Sequence, residues 1–130
     1  MATIQLTEQN FEATVTGEGI TLIDFWAEWC GPCKSFGPIF EAASEEHPDV
    51  RFAKVDTEAE QGIAAFFQIQ SIPTVFVFRD GVPLGGKPGA MSAAGLNEFL
   101  QMVREIDMEQ VHRDIAEAEK AEAEKSNGAQ

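Results

Sequence analysis

Residues 20–27 read Ile-Thr-Leu-Ile-Asp-Phe-Trp-Ala, a nearly unbroken apolar run rich in β-branched and aromatic side chains, and Cys30 follows three positions later. A strand with one wet face would alternate polar and apolar residues, so this run predicts a central strand covered on both faces. Such a strand needs helices on each side of its sheet. A chain of 130 residues has room for one domain of that kind and for a sizeable single core.

The remaining patterns supply the layers. Residues 3–6 read as a short strand, and Thr7 is placed to cap a helix running to about Val15, with Phe11 and Val15 on one face. From Pro32, apolar residues recur at Phe36, Ile39, Phe40 and Ala43, which predicts a helix to about Glu46, stopped near Pro48 and kinked at Pro38. Residues 50–56 form the next strand and 58–67 an amphipathic helix. Residues 74–79 and 82–87 are two strands joined by the turn Arg79-Asp80-Gly81, close enough in sequence to pair as a hairpin. Ser92 opens a last helix carrying Leu96, Phe99, Leu100, Val103 and Ile106. The expected order is β-α-β-α-β-α-β-β-α, an α/β sandwich with parallel crossovers first and an antiparallel end.

Charge excludes several functions. The chain holds 22 acidic and 9 basic residues, net −13, so it offers no cationic footprint for a nucleic-acid backbone or an anionic membrane. No stretch approaches the roughly 18 apolar residues of a spanning helix, and the first dozen residues carry no export signal. The expected compartment is therefore the cytoplasm. Charge also divides the chain. Residues 1–104 are net −8, and residues 105–130 hold a further −5. We expect one domain over 1–105 and an acidic, partly helical extension over 106–130. In the extension Met108, Val111, Ile115 and Ala118 form a thin apolar stripe, and 126–130 read as disordered.

Cys30 and Cys33 are the only cysteines. Without an export signal, such a pair calls for a redox or metal explanation before a structural one. Thiol–disulfide exchange needs an attacking thiolate and a second thiol close enough to resolve the mixed disulfide. Trp29-Cys30-Gly31-Pro32-Cys33-Lys34 follows a buried strand and opens a helix, where free backbone N–H groups and the helix dipole stabilise a thiolate at Cys30. Cys30 is thus the expected nucleophile. Cys33, one turn into the helix, is the expected resolving thiol. Pro32 suits a first helical turn, and Gly31 leaves room for an approaching backbone. The other readings are weaker: zinc takes four ligands and only His47 and His112 could join the pair, so no metal is expected, and a bridge enclosing two residues constrains an unfolded chain little.

Asp24 interrupts the apolar run. If it is buried, desolvation raises its pKa and makes it a candidate proton acceptor for Cys33. If it lies at the strand edge, it reaches solvent or pairs with Lys54.

The stretch Asp24-Phe25-Trp26-Ala27-Glu28-Trp29-Cys30-Gly31-Pro32-Cys33-Lys34, with Pro38 and then Ser71-Ile72-Pro73-Thr74, resembles the thioredoxin family over about residues 3–105, and Gly81 and Gly89 fall where that family has glycines. The resemblance implies the thioredoxin fold, a central mixed β-sheet flanked by helices, with Asp24 buried behind Cys33. It implies a cis bond before Pro73 and a docking surface of Trp29, Gly31, Pro32, Ile72, Pro73 and Gly89. It implies a protein-disulfide reductase with a redox-active Cys30–Cys33 disulfide and no bound cofactor. Its partners would be disulfide-containing proteins and a thioredoxin reductase that draws on NADPH, and the chain itself would be a monomer. The Gly-Pro pair between the cysteines resembles the reducing branch of the superfamily. Two departures stand out: Pro88, which removes a backbone donor beside the groove, and the acidic extension. A rival expectation is a binding or chaperone-like module that docks partners through the extension.

Overall fold

The structure, a computed structural model, describes residues 2–128. Its elements are β1 (Thr3–Gln5), α1 (Phe11–Val15), β2 (Ile20–Trp26), α2 (Gly31–Glu46), β3 (Arg51–Asp56), α3 (Gln61–Phe66), β4 (Thr74–Arg79), β5 (Val82–Pro88), α4 (Ala93–Arg104) and α5 (Met108–Gly128). The five strands form one mixed sheet in the order β1-β3-β2-β4-β5. β3 pairs in parallel with β1 and β2, while β4 pairs antiparallel with β2 and β5. This is the thioredoxin fold expected above, with β2 in the middle.

Alternation along β2 sorts its side chains between two cores. Leu22 packs with Phe36 and Phe40 of α2 and with Leu96 and Leu100 of α4. Ile23 and Phe25 point the other way, into a cluster with Val15 of α1 and Ile63 of α3. Leu22, Ile23 and Phe25 are all completely buried, as continuous apolarity predicted. Truncation of Leu22 to alanine should cost about 2–5 kcal/mol, because the rigid layers on both sides cannot collapse into the space. Urea unfolding reads this directly; a loss below about 1 kcal/mol would mean that the Leu22 layer relaxes freely.

Several element ends differ from expectation, for local reasons. α1 starts at Phe11 and its N-cap is Asn10, not Thr7. The Asn10 carboxamide accepts the Thr7 N–H at 2.8 Å and donates to the Gln5 carbonyl at 2.9 Å, which folds residues 7–10 into a turn ahead of the helix. α3 likewise starts at Gln61, because Asp56 accepts the N–H groups of Glu58 and Ala59 and holds that stretch as a turn. α2 carries Pro38 within one continuous span, and Ser92 caps α4 by accepting the Gly95 N–H at 3.0 Å. The end of α4 is fixed from outside the helix. The Arg79 guanidinium donates to the carbonyls of Val103 and Ile106, both at 2.9 Å, and to Arg104 at 3.3 Å.

α5 continues from that corner. Its first turns leave Met108 and Val111 half-buried, Ile115 is 37% exposed, and the side chains from 116 to 126 are all exposed. Ser126–Gly128 close the helix, and residues 129–130, the remainder of the stretch expected to be disordered, lie outside the described residues. No helix among the described residues is long and apolar enough to cross a membrane.

Candidate active site

The site lies where β2 gives way to α2. Residues 27–29 leave the strand, and Cys30 becomes the N-cap of α2 with extended backbone, φ −90° and ψ 111°. Its sulfur accepts the Cys33 N–H at 3.2 Å, so a side-chain sulfur does what a serine or aspartate oxygen does at most helix starts. The same hydrogen bond and the helix dipole favour negative charge on Cys30 whenever it is a thiolate. Pro32 fills the first turn, where no intrahelical donor is needed. Cys30 and Cys33 are joined as a disulfide, and both are almost completely buried against Ala27, with Trp26 and Ile72 packed alongside.

A second loop closes over the sulfurs. The Ile72–Pro73 peptide bond is cis, and the Ile72 carbonyl oxygen lies 3.7 Å from Cys30 Sγ. Gly89 approaches from the end of β5. Its φ of +98° is one that a side chain would strain, and its N–H donates to the Pro73 carbonyl at 2.8 Å. Pro88 sits just before it, opposite Thr74 in the β4–β5 ladder. Gly31 and Pro32 are exposed, and Ile72 is half-buried. Trp29 is 70% exposed, and its indole N–H donates to the Glu58 carboxylate at 2.6 Å. Each residue expected on the docking surface is therefore found at this one end of the molecule. Glu58 was not foreseen, because nothing local marks a glutamate on a turn 29 positions away as the partner of Trp29.

Asp24 is fully buried on β2, which leaves no strand-edge route to solvent. It shares its sheet face with Leu22, which packs on α2, and with Trp26, which packs beside Cys33, so the carboxyl lies beneath the active-site helix. Neither carboxyl oxygen has a hydrogen-bond partner among the described residues. Burial pushes its pKa up from 3.8 to about 7, against the opposing pull of the Lys54 ammonium. Lys54 stands opposite Asp24 in the β2–β3 register, with its Nζ 5.2 Å from the centre of the Trp26 ring. A groove of about 380 Å³, lined by Trp26, Cys33, Gly37, Glu41 and Lys54 among others, leads from this cation to Cys33. No group of three or more His, Cys, Asp or Glu among the described residues is arranged to hold a metal ion.

Comparison with known proteins agrees with this geometry. The thioredoxin family model matches residues 2–102. A protein named putative thioredoxin 2 from Streptomyces coelicolor is 48% identical over 116 residues, covering 89% of this chain and 87% of its own. Thioredoxin C-3 from Corynebacterium nephridii is 40% identical over 98 residues, 75% of this chain and 68% of its own. A thioredoxin from Buchnera aphidicola is 42% identical over 99 residues, 75% of this chain and 92% of its own. The Streptomyces match is longer than residues 1–105, so it reaches into the acidic extension.

Proposed function

The chain belongs to the thioredoxin family and is a thiol–disulfide oxidoreductase of the protein-disulfide-reductase type, and from that premise we propose the division of labour within its site. The Cys30 thiolate attacks one sulfur of a partner disulfide, forming a mixed disulfide and releasing the partner's other sulfur as a thiolate. Cys33 then gives up its proton to Asp24 and attacks Cys30 Sγ. The Cys30–Cys33 bond forms, the second partner sulfur leaves, and two electrons have passed to the partner. The observation that carries this reading is the Cys33 N–H aimed at Cys30 Sγ at 3.2 Å, which ties the nucleophile to the helix end that stabilises its charge.

Asp24 suits the acceptor role because a carboxyl with a pKa of about 7 is partly ionised near neutral pH, and can take a proton from a thiol and return it. Trp29, Gly31, Pro32, Ile72, Pro73 and Gly89 form the docking surface in this reading, with the free edge of the cis-proline loop offered to the partner's backbone. The oxidised pair is returned to the dithiol by a thioredoxin reductase supplied with NADPH, as in a reducing cytoplasm. The chain works as a monomer, its net charge of −13 opposing self-association.

Cys33→Ser separates the two steps. It should leave attack by Cys30 intact and remove resolution, so mixed disulfides with partner proteins accumulate and disappear on adding dithiothreitol. Rapid turnover by Cys33→Ser, with no adduct visible by non-reducing electrophoresis, would contradict the assignment. Residues 106–130 are dispensable for the chemistry in this proposal. A chain ending at Glu105 should reduce a protein disulfide, with reductase and NADPH, within about two-fold of the full chain, because it loses the Ile106 carbonyl that accepts from Arg79 and the half-buried Met108 and Val111 but keeps every residue of the buried core. A loss of activity well beyond that would favour the rival reading, in which the extension docks the partner.

A further inference from the structure

Phe66 is 78% exposed at the end of α3, the most exposed large apolar side chain among the described residues. It borders a groove of about 370 Å³ whose lining is Glu8, Phe11, Gly62, Ile63, Phe66 and Phe67. The groove has a fixed floor. Phe67 packs on Phe11 and Phe25 at centroid distances of 5.5 and 6.0 Å and on Phe76 at 4.7 Å, so its aromatic wall belongs to the core of the α1–α3 face. Gly62 makes the groove's polar corner. A Cβ there would meet Glu8 Oε1 at 2.9 Å, so the glycine leaves room for the Glu8 carboxylate against α3, where a larger residue would push that flexible side chain aside. That carboxylate has no hydrogen-bond or ion-pair partner among the described residues.

The surrounding charge has one sign. Residues 2–33 and 55–78, which include α1, α3 and their flanks, contain no Lys, Arg or His. Glu12 lies in α1, and Glu58 and Glu60 precede α3. The cation that does reach α1, Arg51, is turned to its far end, where it bonds Thr21 Oγ1 and the Gly17 carbonyl. Glu58, on the turn that leads into α3, accepts the Trp29 indole N–H beside Cys30, which ties this segment of the chain to the active-site end. An apolar slot whose one charged lining residue is Glu8, set between segments that carry no cation, disfavours a second copy of a chain carrying −13, and disfavours the acidic α5 for the same reason. It fits an apolar side chain flanked by cations.

We propose that the Phe66 groove is a second docking site for disulfide-bearing protein partners, one that takes a leucine- or phenylalanine-type side chain set between lysines or arginines. This rests on the protein-disulfide reductase reading of the same molecule. The apolar anchor supplies affinity, and Glu8 with the cation-free segments around it steers encounter, so the site selects among partners whose disulfides are chemically alike.

The test uses the full-length protein and two synthetic peptide disulfides. They are identical except that a flexible linker of about ten residues, spanning roughly 17 Å, leads to a leucine between lysines in one and between glutamates in the other. The small aromatic disulfide dithionitrobenzoate serves as a substrate with no room for a second contact. The native chain should show kcat/KM about 10-fold higher for the lysine peptide at low ionic strength, and the ratio should shrink as salt is raised to roughly 300 mM. Phe66→Ser, which removes a largely exposed ring that meets the core only edge-on at Phe67, should bring the ratio to about 2 or below while leaving dithionitrobenzoate reduction and thermal unfolding unchanged. Glu8→Gln should lower it part of the way. An unchanged ratio in Phe66→Ser with normal dithionitrobenzoate reduction overturns the docking site and leaves the reductase reading standing. Failure of the native chain to reduce dithionitrobenzoate would instead defeat the reductase reading, and the docking site with it. A concentration-dependent dimer abolished by Phe66→Ser would seat a second copy in the groove and overturn the proposal as well.

Discussion

Replacing Cys30 with serine should reduce protein-disulfide turnover by at least about 1,000-fold, to the background of the assay, with the fold retained. The size of the effect follows from two losses at once. A serine hydroxyl beside the Cys33 N–H is not ionised near neutral pH, because the helix start that favours a thiolate falls far short of what an alkoxide requires. Oxygen also cannot form the mixed disulfide through which electrons leave the protein. Cys30 is 4% exposed and serine is smaller, so the substitution should barely alter packing, and thermal unfolding should confirm an intact domain. Residual turnover above a few per cent would show that Cys33 can act as a nucleophile by itself.

Asp24→Asn should make the protein more stable while slowing its chemistry. The sign follows from where the proton sits. The carboxyl has a pKa of about 7 in the folded chain and an ordinary value of 3.8 when exposed, so the folded state holds a proton that the unfolded state has released. Folding stability contributed by the protonated form is complete below about pH 4 and is lost as pH rises through about 7. A gap of about three pH units corresponds to roughly 4 kcal/mol once both states are ionised. Asparagine keeps the shape and removes the charge. Its advantage in urea unfolding should therefore be near zero at about pH 4, grow through neutrality and level off near 4 kcal/mol by about pH 9. The same substitution removes the proposed proton acceptor, so the resolution step in single-turnover kinetics should slow and lose its pH dependence around 7. A stability difference that is constant with pH would mean that the carboxyl is not held out of water as its burial implies.

Much of this architecture is legible in the residues. The unbroken apolarity of residues 20–27 identifies the middle strand, because only a strand covered on both faces can afford it, and β2 is indeed flanked by β3 and β4 with helices on both faces of the sheet. Cys30, Pro32 and Ser92 mark helix starts through the chemistry of unsatisfied N–H groups, and both caps are found. What stays illegible depends on distant partners. Thr7 has the right side chain for a cap, yet Asn10 displaces it by bonding back to Thr7 and Gln5. Arg79 ends α4 from the edge of another strand, and periodicity carries no trace of such a bond. Phe66 and Phe67 look alike in the sequence, but Phe67 anchors an aromatic cluster, while Phe66 meets it only edge-on at 5.1 Å and stays largely exposed beside a groove. The partnership of Glu58 with Trp29 is hidden in the same way, since only folding brings the two together.

The most direct test of the central claim is an electron count. The fully reduced protein is mixed with an equal amount of a protein carrying one accessible disulfide, the reaction is stopped by acid, and free thiols on each chain are alkylated and located by mass spectrometry. The dithiol account predicts that each partner disulfide opened is matched by one Cys30–Cys33 disulfide formed, with any trapped intermediate joined through Cys30 alone. Opening of the partner disulfide while Cys30 and Cys33 both remain alkylatable, or intermediates joined through Cys33, would contradict it.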